Sequence, residues 1–223
     1  NVTGVQTCAL PISWPGLGQD HHRRLTDRSP ELRRFLDATA AAMMARAGSL
    51  PAADGLVRRI FQALAKPEPQ GDVAPETVPV CAMLPEVLFH ASLEPPPLAR
   101  LTAAVAALAP KLAWRRRPNA EKEGEAFLAG HANANVVGPE GLETRNDVLV
   151  GISLMAPGLR YPDHDHPPEE VYISLAGGEW KKGDEDWRAP GRGGLVHNPP
   201  GIVHAMRTKD EPLLAIWCLW AGS

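Results

Sequence analysis

The chain is poor in the features that usually announce a function. Aromatic residues make up only 5% of its 223 residues, and just two of them are tyrosines. Its three cysteines, Cys8, Cys81 and Cys218, are widely spaced and form no C-x-x-C pair, which removes a cysteine zinc site or a redox couple from consideration. A reducing cytoplasm is the expected compartment. No apolar run reaches the about 20 residues that cross a bilayer. The longest candidate, Leu101 to Trp114, is interrupted by Pro110 and Lys111, so no membrane association is expected. Strong positive charge is missing too. A formal net charge of -3 offers no basic footprint for a phosphate backbone, so nucleic acid is not an expected partner. The basic run Arg115, Arg116 and Arg117 stands directly before Pro118 and reads as a solvated helix end.

The opening stretch NVTGVQTCALPI has no initiator Met, basic n-region or sustained apolar core. Residues 1–13 are therefore expected to be a non-native leader, 14–118 a helical N-terminal region and 119–223 a β-rich barrel. Ser29 before Pro30 and Glu31 forms an N-cap with proline at the first helical position, and Leu32, Phe35 and Leu36 recur at helical spacing behind it. A second helix is expected at about 52–64, a Pro-rich connector over 66–79 and a further helix over 98–114. Beyond Pro118 the pattern changes to short β-like runs at 135–137, 148–155, 170–175, 194–197 and 213–220, with 120–130 a last helix or linker.

Chemistry concentrates in two pieces of this second half. The first reads Gly158-x5-His164-x-His166-x3-Glu170-x6-Gly177 and the second Gly193-x5-Pro199-x-Gly201-x2-His204. On a strand, residues i and i+2 share a face, so His164 and His166 are expected to converge. Pro167 and Pro168 then turn the chain to bring in Glu170, and the Pro199–Gly201 turn delivers His204. Three imidazoles and a carboxylate suit one divalent transition metal, Fe, Mn, Zn, Ni or Co, with room left for water or substrate. His21, His22 and His90 lack such company and read as ordinary surface or core imidazoles. His131 and His197 fit surface or supporting roles better than ligation.

Both tyrosines flank this set. Tyr172 lies two positions after Glu170 and so on the same strand face. A phenol, with a pKa of about 10, is a poor base at neutral pH unless a nearby cation favours the phenolate. Read from position alone, Tyr172 is equally well barrel core.

The two histidine motifs resemble the paired motifs of the cupin superfamily, which implies a fold that is mainly β with α. The implied architecture is a C-terminal double-stranded β-helix, or jelly-roll barrel, behind an N-terminal helical region. One departure is Thr208, where the second motif often ends in Asn. The run Tyr161 to Tyr172, the segment Asn198 to Met206, the Trp217-Cys-Leu-Trp220 end and the helical first half together resemble the cupin-type dimethylsulfoniopropionate lyases, most of all the DddL group. The resemblance implies β-elimination of dimethylsulfoniopropionate (DMSP) to dimethyl sulfide and acrylate. An ion on His164, His166, Glu170 and His204 would bind the substrate carboxylate, and Tyr172 would take the α-proton. The zwitterion's sulfonium end calls for aromatic faces, for which Tyr161, Trp180, Trp187, Trp217 and Trp220 are candidates. The alternatives are a different metal-dependent cupin enzyme, a dioxygenase or sugar isomerase, and a non-enzymatic binder of a small ligand. The helical half carries no catalytic signature; its apolar stripes are expected to cap the barrel or pair it into a homodimer.

Overall fold

The computed structural model describes residues 27–222. The expected leader over 1–13, with Cys8, and the histidines His21 and His22 lie outside the described residues. Helix α1 spans Pro30–Ala47, and its Ser29 hydroxyl accepts from the Leu32 amide at 3.2 Å. This cap contributes about 1 kcal/mol. Helix α2, Pro51–Leu64, buries Leu56, Val57, Ile60 and Leu64 as one stripe. Next come a short 3-10 turn, Pro79–Met83, and helices α3, Leu84–Ser92, and α4, Leu98–Leu108. Helix α4 stops well before Trp114, contrary to the expected 98–114. Pro110 has no amide hydrogen to continue the ladder, and Trp114 instead opens strand β1, Trp114–Arg115. A final short helix, α5, covers Glu125–Gly130.

Eight strands follow: β2 His131–Val137, β3 Val148–Met155, β4 Arg160–His164, β5 Glu169–Ala176, β6 Glu179–Lys182, β7 Leu195–Asn198, β8 His204–Arg207 and β9 Leu213–Trp220. They form a six-stranded sheet in the order β1-β2-β3-β9-β5-β7 and a three-stranded sheet in the order β4-β8-β6. Every pairing is antiparallel. The result is a cupin-type double-stranded β-helix with helices packed against one sheet.

Alternation along the large sheet decides what faces where. On β9, Leu214, Ile216 and Cys218 join the helices in one apolar core, whereas Leu213, Ala215 and Trp217 belong to a smaller cluster inside the barrel. On β2, Ala132, Ala134 and Val136 face the helices. The intervening His131, Asn133 and Asn135 therefore line the interior, an unusually polar wall for a small barrel.

A buried ionic cluster fastens the loop after β2 to the end of α2. Glu143, 1% exposed, receives the Arg28 guanidinium at 2.5 and 2.8 Å and Arg145 at 3.2 Å. Arg145 also holds Asp147 at 2.7 and 2.8 Å. Both arginines reach carbonyls at the helix end, Leu64 from Arg28 and Ala63 from Arg145. Among the described residues no helix is long and apolar enough to cross a membrane.

Candidate metal centre

His164 closes β4, and His204 opens β8 directly across from it. His166 lies beyond the end of β4, so its approach comes from the Asp165–Pro168 turn and not from strand alternation as the sequence suggested. Glu170 comes from β5 in the facing sheet. The ligating atoms of the three histidines all lie within 4.8 Å of one another. Glu170 Oε2 stands 3.3 Å from His166 Nε2 and 3.2 Å from His204 Nε2.

The backbone sets the tautomer of each imidazole. His164 Nδ1 lies 3.0 Å from the Pro162 carbonyl, His166 Nδ1 2.9 Å from Pro168 and His204 Nδ1 2.9 Å from Ile202. A carbonyl oxygen can only accept, so each Nδ1 carries the hydrogen and each Nε2 offers a lone pair inward. His166 Nε2 and His204 Nε2 are buried and have no hydrogen-bond partner. Lone pairs facing a carboxylate oxygen repel unless a cation lies between them, so the donor set fits a divalent ion.

Burial lowers the His164 pKa to about 4, aided by the neighbouring His204. Burial works against ionisation of Glu170, but protons carried by His166 and His204 hold its pKa down at about 2, a part that a divalent ion would take over with the imidazoles neutral. Asn198, paired across from Glu170 on β7, donates its Nδ2 to Glu170 Oε2 at 2.9 Å and fixes the carboxylate's rotation. Sequence reasoning passed over Asn198, although it sits next to Pro199 in the second motif. Thr208 ties the turn before β4, accepting from the Leu159 amide at 2.9 Å and donating to Ala156 O at 2.7 Å.

One layer deeper lies Tyr172, 3% exposed and 5.8 Å from the Trp180 ring. Burial, followed by the negative charge of Glu170, pushes its pKa well above the ordinary phenol value. Without a cation, the site therefore holds a phenol and not the phenolate considered from sequence. Trp217 is the cross-strand neighbour of both Tyr172 and Gly151, and its indole lies over the space that a side chain at 151 would fill. A Cβ there would stand 2.0 Å from Trp217 Cζ2. Gly151→Ala is accordingly expected to shift the indole and cost about 1–3 kcal/mol. Altered tryptophan emission together with a lower unfolding midpoint would register it; parent-like values in both would mean the ring does not depend on the glycine.

Tyr161 and Trp180 also face the interior, both opposite Met206 on β8. The other two tryptophans do not. Trp187 packs on the Arg207 guanidinium, 4.4 Å from its ring centre, and Arg207 alternates outward from the inward-facing Met206. Trp220 joins the helix-side core under Arg59, at 5.1 Å. Strand alternation thus turns Trp187 and Trp220, both candidates for holding the sulfonium, away from the interior that holds the candidate site. His197, one face removed from the centre, meets Glu169 at 2.8 Å, and Glu169 in turn receives Arg59 at 2.6 Å. His131 is fully buried, stacked on Phe127 at 4.7 Å and lowered by burial to a pKa of about 4.

A family model described as dimethylsulfoniopropionate lyase matches residues 53–215, a span that contains all four candidate ligands and Tyr172. The chain belongs to the DMSP lyase family. Among its relatives in that family is a Cereibacter sphaeroides chain assigned as DMSP lyase DddL, 33% identical over 153 residues, which make up 68% of this chain and 63% of that one. DMSP lyase DddQ of Ruegeria pomeroyi is 34% identical over 110 residues, 49% of this chain and 54% of that one. The aligned regions thus span less than two thirds of either curated relative. The crystal structure of the Ruegeria pomeroyi DddQ superposes with a TM-score of 0.66 at 26% identity, covering 86% of this chain and 92% of that chain.

Proposed function

We propose that this chain is a metal-dependent carbon–sulfur lyase that cleaves DMSP to dimethyl sulfide and acrylate. The observation that carries the reading is the convergence of His164, His166 and His204 on Glu170 directly above a buried Tyr172, in a member of the DMSP lyase family. A divalent ion on these four residues would supply Lewis acidity toward the substrate carboxylate and offset the Glu170 charge that opposes a phenolate at Tyr172.

The residues of the chain do the rest. Their backbone-tied imidazoles hold the donor geometry, and Asn198 holds Glu170 in place. Tyr172 Oη takes the proton from the substrate's α-carbon. The electron pair of that C–H bond becomes the new C=C bond while the Cβ–S bond breaks. Dimethyl sulfide leaves as a neutral molecule, and no general acid is needed. The sulfonium requires a surface that stabilises a fixed cation without hydrogen bonds, and the Trp217 face beside Tyr172 is the best placed.

The test is headspace gas chromatography for dimethyl sulfide from the metal-loaded chain and DMSP, beside His204→Ala. Gas should evolve from the parent, and the variant should fall to background with reduced metal content. A folded parent that yields no dimethyl sulfide with any of several divalent metals would overturn the reading. Oxygen uptake by the same sample would move it to the dioxygenases, because elimination is redox-neutral.

A further inference from the structure

The basic run that reads as a solvated helix end in the sequence occupies a different place in the fold. Arg115 on β1 pairs in register with Asn133 on β2, and continuing the alternation puts Arg117 opposite His131, on the interior side. There the chain borders a cavity of about 600 Å³ whose wall includes Arg117, Asn133, Asn135, Tyr161 and His164. The cavity therefore leads from the basic run to the candidate metal centre.

The three arginines are not equivalent. Arg115 is neutralised by Glu76 at 3.1 Å and Glu140 at 2.8 Å. Arg116 donates its Nε to the Leu128 carbonyl at 2.7 Å. Arg117 lies 5.0 Å over the Tyr161 ring, and its Nη1 is buried without a hydrogen-bond partner. Among the described residues no carboxylate pairs with it. Burying a guanidinium donor without an acceptor is costly, and its planar fork matches a carboxylate. The neighbours within the protein do not supply one: Tyr161 presents its ring, and His131 stacks on Phe127.

We propose that Arg117 is the carboxylate-recognition residue of this cavity, taking a small monocarboxylate at the approach to the metal centre. On the lyase reading above, which this inference extends, the carboxylate is that of the zwitterionic substrate. The guanidinium attracts the carboxylate and repels the sulfonium, so the molecule is oriented with its carboxylate between Arg117 and the candidate metal centre and its sulfonium toward Trp217. Arg117 is then a positioning and specificity residue and takes no part in moving the proton.

The test uses the full chain, with propionate and trimethylsulfonium as separate probes of the two ends, titrated calorimetrically with and without excess chelator. Arg117→Met keeps an aliphatic side chain and removes the fork; Arg117→Lys keeps charge alone; Arg58→Met, which lies outside the cavity wall, is the control. Loss of a charge-assisted pair predicts that Arg117→Met weakens propionate by about tenfold or more in both conditions. Arg117→Lys should recover part of that loss, and Arg58→Met should match the parent. Trimethylsulfonium binding should not weaken in Arg117→Met, because a like charge has been removed. With DMSP, KM should rise by a comparable factor while kcat stays within about threefold. Parent-like propionate binding in Arg117→Met, or equal loss of both probes, would overturn the proposal. A parent that binds propionate through Arg117 yet releases no dimethyl sulfide would remove the lyase reading and leave this one standing.

Discussion

Tyr172→Phe is expected to lower the rate of dimethyl sulfide release by about 10²- to 10⁴-fold, the range over which a positioned general base contributes. The substitution removes one oxygen and leaves the ring against Trp180, so packing inside the barrel is retained. It leaves His164, His166, Glu170 and His204 untouched, and metal content by elemental analysis should equal the parent's. Stability should fall by no more than about 1–3 kcal/mol, the worth of the hydrogen bond between the buried hydroxyl and Glu170. Headspace assay, metal content and thermal midpoint together separate loss of the base from loss of the site. If Tyr172→Phe turns over at near-parental rate, the proton goes to some other group and the tyrosine mechanism is wrong.

The second large effect is on stability. Glu143→Ala should cost about 3–5 kcal/mol, since it leaves the largely covered Arg28 with no carboxylate and the buried Arg145 with Asp147 alone. Arg28 and Arg145 converge on that carboxylate with side chains 10% and 4% exposed, so water cannot replace it. At the end of α2 the loop 138–147 then keeps only the bonds of Arg145 to the Ala63 and Lys66 carbonyls. Urea denaturation reads the change as a lower midpoint with an unchanged slope. Adding Arg28→Met to Glu143→Ala should restore part of the loss, because one of the stranded charges goes with it. A double variant no more stable than the single one would show that the ion pair itself, and not the uncompensated charge, carries the effect.

The sequence made the donor set legible because metal ligation constrains residue type and spacing at once. Strands β3 and β9 were equally plain, since long runs of β-branched and aliphatic residues between turn residues leave little choice of boundary. Helix α3 was missed. It lies among Pro79, Pro85 and Pro95, which read as breakers, yet Pro85 sits in the first turn, where no amide hydrogen is required. Strands β4, β6 and β8 are four or five residues long, and Pro162, Lys181 and Lys182 hide their pattern. Trp217 and Trp220 are both candidates from sequence because both lie in the barrel half, although an odd separation on a strand sends them to opposite faces. Arg117 stayed unread because a basic run before proline says nothing of the cavity that β2 brings to it.

The division of β9 between two clusters has a consequence for how this chain can change over generations. Leu214, Ile216 and Cys218 answer to the helices, and Leu213, Ala215 and Trp217 to the chamber. Neighbouring positions therefore meet different demands, one of packing the helices and one of shaping the chamber. Drift at 213, 215 and 217 can reshape what the chamber admits while the strand's other face keeps the protein folded. One strand thus carries two nearly independent inheritances, interleaved residue by residue.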